Sequence, residues 1–185
     1  PGTLGITLGI FTVGTGFGQI IFGPVSDRFG RKPVVVFGLC LYGFAALFAP
    51  YTTRIEGLSF VRFTQGVGAA SGKIIGVAVV RDLYAREKAA RLLSNIWTVS
   101  SMMPIINPFI GSALVHYFEW HSVFIFMAIF AGVMVLLTLF FFKETLKRKN
   151  PNTLNPKQLF QNFLQISINR TFLAYMLINL SLIHI

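Results

Sequence analysis

The chain reads as an all-α membrane protein, a polytopic bundle of helices, and three observations predict it. Hydrophobic residues make up 54% of the 185 and charged residues only 12%, whereas about a quarter of a soluble domain is charged. The apolar residues fall in runs close to the roughly 17 to 25 residues that cross a hydrocarbon core as a helix. The basic residues sit in the gaps between those runs.

The first run, Leu4–Phe22, carries Gly5 with Gly9 and Gly14 with Gly18. Small residues four apart let helices approach closely in lipid. A charged hairpin, Gly23–Pro33, follows; Pro24 and Pro33 are expected to bracket its turn, and Gly30 admits backbone conformations closed to residues with a side chain. A second helix is expected over Val34–Ala49, stopping at Pro50. It contains Cys40, the single cysteine, so no disulfide forms within the chain. The loop Tyr51–Gly57 leads to a third helix over Leu58–Val80, then a basic loop over 81–91 and a fourth helix over Leu92–Val115. A turn at His116–Ser122 precedes a fifth helix over Val123–Phe142.

Lys143–Arg170 is the longest polar stretch and reads as a linker between two bundles. Within it, Asn155-Pro156 can open a helix lying along the membrane surface, with Leu159, Phe160, Phe163 and Leu164 at helical spacing; a plain linker is the alternative. Thr171–Ile185 begins a further helix. The expected organisation is a bundle over 1–142, a linker over 143–170 and the start of a second bundle over 171–185. Because the chain opens at Pro1 without Met and stops inside an apolar run, it is expected to be a piece of a longer protein.

The basic residues assign the sides. Arg28, Arg31 and Lys32 of the hairpin, Arg81, Arg86, Lys88 and Arg91 of the second basic loop, and Lys143, Lys147, Arg148, Lys149, Lys157 and Arg170 of the linker are thirteen of the 16 Lys and Arg. Alternation puts all of them on one side and leaves Arg54 on the other, so the hairpin 23–33, the loop 81–91 and the linker 143–170 are expected to be cytoplasmic. The net charge of +10 therefore has a topological origin, and nucleic acid is not an expected partner.

Arg62 and Lys73 are the charges expected deep in a helix. A cation at the bilayer centre costs about 2.5–3.5 kcal/mol on insertion scales, a cost that usually marks function. Arg62, Gln65, Ala69 and Lys73 fall on one stripe that is expected to face a water-filled cavity, although an arginine near a helix end can also snorkel to the interface. Gly68, Gly72 and Gly76 form a neighbouring stripe of small residues suited to helix contact. No Asp or Glu falls inside the expected helices, so a proton-carrying carboxylate is expected outside this sequence. In the fourth helix, Ser100, Pro104, Asn107 and Gly111 share a face, with Pro108 beside them. This suggests a bent helix whose small side packs on a partner and takes part in conformational switching; a simple proline kink is the alternative.

Other chemistries find no support. Gly68-Ala69-Ala70-Ser71-Gly72-Lys73 lacks the spacing, the hydroxyl after the lysine and the preceding strand of a phosphate loop. His116 and His121 have no companion ligands at metal spacing. Asn169-Arg170-Thr171 matches a glycosylation acceptor but falls on the inner side. No nucleophile, base and orienting acid are grouped, so neither an enzyme nor a cofactor is expected.

Taken together, these stretches resemble the major facilitator superfamily and, within it, the Bcr/CflA (bicyclomycin-resistance) type of drug:proton antiporter. Gly23-Pro24-Val25-Ser26-Asp27-Arg28-Phe29-Gly30-Arg31-Lys32-Pro33 is similar to the signature between the second and third helices of that superfamily. Arg62-Phe63-Thr64-Gln65-Gly66-Val67-Gly68-Ala69-Ala70 resembles the fourth-helix signature of its proton antiporters, and Val80-Arg81-Asp82-Leu83-Tyr84 and Lys143-Glu144-Thr145-Leu146 resemble the ends of helices four and six. The pattern departs at Lys73, Asn107, Ser112 and His121.

The resemblance covers nearly the whole chain and implies helices two to six plus the start of seven, in a bacterial inner membrane. It implies that Asp27, Arg31 and Asp82, with Gly23, Arg28 and Gly30, form an inner charge cluster that steadies one closed state. Arg62, with Gln65 and Lys73, would line the proton-coupling cavity, and the Pro104–Gly111 face, with Asn107 and Pro108, would resemble the fifth-helix antiporter signature. The implied function is proton-driven export of drugs or small amphipathic compounds by alternating access, with membrane lipid, a small-molecule substrate, protons and the remaining helices as partners. The alternatives are uptake of a sugar or organic acid on the same fold, or a membrane scaffold. An intramembrane carboxylate in the first helix favours the antiporter, whereas a scaffold has no reason to bear the insertion cost of Arg62 and Lys73.

Overall fold

The computed structural model describes residues 2–146 and, beyond them, 153, 161, 164–165, 167–170, 172–174 and 176–177. The chain divides into two compact units, Pro1–Lys149 and Asn150–Ile185. The first contains α1 (Gly2–Phe29), α2 (Arg31–Phe48), a short 3-10 turn (Ala49–Tyr51), α3 (Ile55–Leu83), α4 (Arg86–Tyr117) and α5 (His121–Phe141). All five α-helices are long and apolar enough to span a membrane, and no strand occurs among the described residues. In hydrocarbon an unpaired backbone amide has no water to turn to, so a chain this apolar must satisfy its amides within helices.

The helices run further than the apolar runs that announce them. α1 continues seven residues beyond Phe22, through Pro24, and ends at Phe29. What reads in sequence as a hairpin of eleven residues is a turn at Gly30 alone, with Pro33 inside the first turn of α2. The expected basic loop over 81–91 likewise contracts to Tyr84 and Ala85, because Arg81 and Asp82 end α3 while Arg86, Lys88 and Arg91 begin α4. Asp27 and Asp82 therefore lie within helices after all, at their ends. The physical reason is simple: apolarity marks the hydrocarbon slab, whereas helical hydrogen bonding continues into the polar interface.

The bundle is organised around α3, which packs on α1 and α2, while α2 also packs on α5. Glycines make the α1–α3 seam: a Cβ at Gly14 would strike the Phe63 carbonyl, one at Gly66 the Phe11 carbonyl, and one at Gly18 would lie 2.7 Å from the Val67 carbonyl oxygen. On the other flank a Cβ at Gly68 would come within 2.6 Å of both the Gly38 carbonyl oxygen and the Tyr42 amide nitrogen, and one at Gly38 would meet the Ser71 side chain. Backbones this close gain dispersion contact that larger side chains would prevent. By contrast Gly5, Gly9, Gly72 and Gly76 meet nothing within 4 Å, so two of the four glycines in the α1 pattern and one of the three in the α3 pattern serve a contact in this unit.

Two apolar clusters complete the packing. Phe22, Val34, Ala70 and Ile75 join α1, α2 and α3, and Ala45, Ala49, Val61 and Phe124 join α2, α3 and α5. Large side chains such as Phe109, Phe140 and Phe141 point outward, as lipid-facing residues do. α4 is the outlier: it touches α3 and α5 only slightly and buries Ala89 alone.

In the second unit, Asn169 begins a helical stretch. Its side-chain oxygen accepts from the Phe172 amide at 3.3 Å and its carbonyl from the Leu173 amide at 2.9 Å, the arrangement of an N-cap. Of the expected helix opening at Asn155-Pro156, those two residues and Leu159, Phe160 and Phe163 lie outside the described residues, whereas Leu164 is helical and exposed, and Gln161, Gln165, Ser167 and Ile168 are helical too.

Candidate functional site

Three clusters are built on this frame. The first surrounds the α1–α2 turn. Gly30 has φ 114° and ψ 158°, a backbone region open essentially to glycine, and this places Arg31 at the first position of α2. A cation at a helix N-terminus opposes the helix dipole, and anions gather to offset it. Arg31 pairs with Asp27 at 2.7 Å and with Asp82 of α3 at 3.1 Å. It also donates to Ser26 Oγ at 2.6 Å, and Ser26, wholly buried, donates in turn to the Gly23 carbonyl at 2.9 Å. Arg28 points elsewhere, over the Phe29 ring at 5.5 Å.

A participant that sequence reasoning did not place is Glu144, just beyond α5. Gly30 gives α2 no side-chain cap, and the Glu144 carboxylate takes that position. It accepts from the amides of Arg31 at 3.0 Å and Lys32 at 3.1 Å, as anions do at helix N-termini. It accepts as well from the amides of Thr145 and Leu146, each at 3.0 Å. Burial opposes its charge, but these four amides outweigh burial and hold the carboxyl below its ordinary range. Lys32 adds a bond from its ammonium to the Leu139 carbonyl at 2.8 Å. The end of α5 is thereby fastened to the start of α2.

The second cluster lies within the bundle. Gln65 is wholly buried; its oxygen accepts from Arg62 Nη1 at 3.0 Å and its amide donates to Met127 Sδ at 3.6 Å. The Arg62 guanidinium lies over the Phe124 ring at 4.9 Å, and Tyr42 of α2 reaches the same Gln65 side chain. Arg62 is half-buried and makes no ion pair among the described residues.

Lys73 departs from this group. The expected stripe of Arg62, Gln65, Ala69 and Lys73 divides: Arg62 and Gln65 turn toward α2 and α5, whereas Lys73 turns toward α4, its ammonium 5.3 Å from the centre of the Trp97 ring. Gln65 sits inward by close packing instead of facing water. Lys73 borders a cavity of about 410 Å³ shared with Gly23, Asp27, Arg31 and Asp82, and a cleft of about 470 Å³ between α3 and α4.

On α4, Pro104, Asn107 and Pro108 are exposed, and a Cβ at Gly111 would meet nothing within 4 Å. The helix runs unbroken through both prolines, and this face has no packing partner among the described residues. The sequence signals available for the missed groups were weak. Glu144 binds backbone amides, which carry no side-chain signature, and Tyr42, Trp97, Phe124 and Met127 read as ordinary apolar residues.

Five helices long and apolar enough to span a membrane, held by charges at one end and enclosing a guanidinium without a carboxylate partner among the described residues, define the helical bundle of a multi-pass membrane protein. The chain belongs to the Major Facilitator Superfamily, whose family model matches residues 1–184. It is 31% identical over 170 residues to the bicyclomycin resistance protein homolog of Haemophilus influenzae, covering 92% of this chain and 43% of that protein. It is 29% identical over 175 residues to the multidrug resistance protein MdtL of Escherichia coli, covering 95% of this chain and 44% of that one. It is also 32% identical over 142 residues to MdtL of a Shewanella species, covering 77% and 36%. The chain thus spans less than half the length of these relatives.

Proposed function

We propose that the protein carrying this chain exports drugs or other small amphipathic compounds across a bacterial plasma membrane in exchange for protons. Two helical bundles would rock about a central site, and the basic loops would face the cytoplasm. The names of the relatives support the substrate class, and the observation that carries the mechanism is Arg62. Its guanidinium is oriented by Gln65 and Phe124 yet has no carboxylate partner among the described residues. A cation so held favours the ionised form of any carboxylate brought beside it and loses that influence when the carboxylate moves away. Alternation between those two arrangements binds and releases a proton in step with bundle motion. The cluster of Asp27, Arg31, Asp82 and Glu144 would steady one closed state as a clasp, by holding the ends of α1, α2, α3 and α5 together as one body while the bundles rock.

The test uses inverted membrane vesicles containing the whole protein, an imposed proton gradient and a panel of lipophilic fluorescent compounds of positive, zero and negative charge. Gradient-driven accumulation of at least one compound is expected for the wild type, and its loss in Arg62→Ala with insertion unchanged. Absence of gradient-driven movement for the whole panel, with the protein inserted, refutes export.

A further inference from the structure

Lys73 has two features that the coupling mechanism does not use. It is a cation on a spanning helix without a carboxylate partner among the described residues, and it stands at the mouth of a shaped cleft. Gly72 and Gly76 leave open space on that side of α3. The resulting cleft of about 470 Å³ is walled by Ile96 and Trp97 of α4, with the Ser100 hydroxyl at its border. Pockets for small organic ligands have this size and makeup, largely apolar with a few placed polar groups.

The electrostatics select the sign of the ligand. In the adjoining cavity Asp27 and Asp82 are both engaged by Arg31, and Arg81 borders the same space without an ion pair among the described residues. Three cations, Arg31, Arg81 and Lys73, thus border that cavity against two carboxylates. The Trp97 ring, the other surface that could attract a cation, already has the Lys73 ammonium beside it. An anion meets the opposite situation: an exposed ammonium beside one aromatic face, without a carboxylate partner among the described residues.

We propose that the cleft between α3 and α4 is a subsite for an amphipathic organic anion, its carboxylate, sulfonate or phosphate on Lys73 and its flat apolar body along Trp97 in the space left by Gly72 and Gly76. This rests on the reading that the whole protein moves small amphipathic molecules and assigns the charge of the preferred ones.

Two probes of matched shape test it: 2-naphthoate and 2-naphthylmethylammonium, titrated calorimetrically into the purified whole protein in neutral detergent. The wild type is expected to bind the anion at least tenfold more tightly than the cation, the scale of one lost charge-assisted hydrogen bond. Lys73→Gln should abolish that preference, Lys73→Arg should keep it, and Gly76→Leu, which fills the cleft, should weaken the anion while Lys73 is intact. Equal anion affinity in wild type and Lys73→Gln overturns the proposal. So does a preference for the cation, or a Lys73→Gln protein that loses thermal stability while keeping its anion preference, which would show that Lys73 is paired within the protein. Binding is read without a gradient, so Lys73-dependent anion binding in a protein that fails the vesicle test refutes export and leaves the subsite standing. Export without such binding refutes the subsite alone.

Discussion

Replacing Gly30 by Ala tests the α1–α2 turn most directly. At φ 114° and ψ 158° a residue with a side chain bears a backbone penalty of about 1–3 kcal/mol. The new Cβ would also stand 2.6 Å from Glu144 Oε2 and 3.2 Å from its Cδ, so the carboxylate must withdraw from the Arg31 and Lys32 amides. Those two bonds carry about 0.5–1.5 kcal/mol each when formed between groups removed from water. Because Glu144 is exposed, we take their combined loss as about 1 kcal/mol. The total is about 2–4 kcal/mol, a factor of roughly thirty to a thousand in the folding equilibrium. The assay is reversible unfolding of the whole protein in mixed micelles, followed by helical circular dichroism. Gly23→Ala serves as control, since a Cβ there meets nothing within 4 Å. In a Glu144→Ala background the Gly30→Ala penalty should shrink by about 1 kcal/mol, leaving the backbone part. A Gly30→Ala protein within about 0.5 kcal/mol of wild type refutes the reasoning, because a difference that small is what an ordinary surface change produces.

Two further outcomes follow from the same geometry. Gly66→Ala drives a Cβ onto the Phe11 carbonyl and to 3.0 Å from the Thr15 amide nitrogen, so it should cost more than about 2 kcal/mol, while Gly72→Ala on the open side stays near neutral; equal effects in the same unfolding assay contradict the seam. The Glu144 carboxyl, held below its ordinary value of 4.5, contributes stability that is complete above that pH and is lost as pH falls through the lowered value. The stability difference between wild type and Glu144→Gln, under about 1 kcal/mol for so exposed a group, should therefore shrink on acidification below pH ~4.5, and a difference that grows in acid contradicts the clasp.

Much of the architecture was legible because lipid imposes a coarse code. Five apolar runs gave five helices, and Gly30 marked the turn. The helix ends were not legible: Asp27, Arg28, Asp82 and Arg86 look like loop residues by polarity, yet they continue helices into the interface. The grouping of Asp27, Arg31 and Asp82 was visible only through the resemblance, since Asp27 and Arg31 stand four apart on either side of the Gly30 turn and Asp82 lies 51 residues beyond Arg31. Glu144 was invisible in its role because its partners are peptide groups 113 and 112 residues away. The Arg62–Lys73 stripe was right as helical geometry and failed as a single site. Helical spacing says which residues point the same way, but not which of several neighbouring helices each one meets.

The α1–α3 seam carries a mechanical consequence. Where Gly14, Gly18 and Gly66 bring main chain against main chain, no rotamer lies between the helices to absorb a displacement. Side chains elsewhere in a protein act as springs; at these three glycines there is none, so a tilt of one helix is passed directly to the other. α4 makes only slight contacts with the other described helices. The unit is thus stiff along the α1–α3 flank, where any movement of one helix is passed to the other.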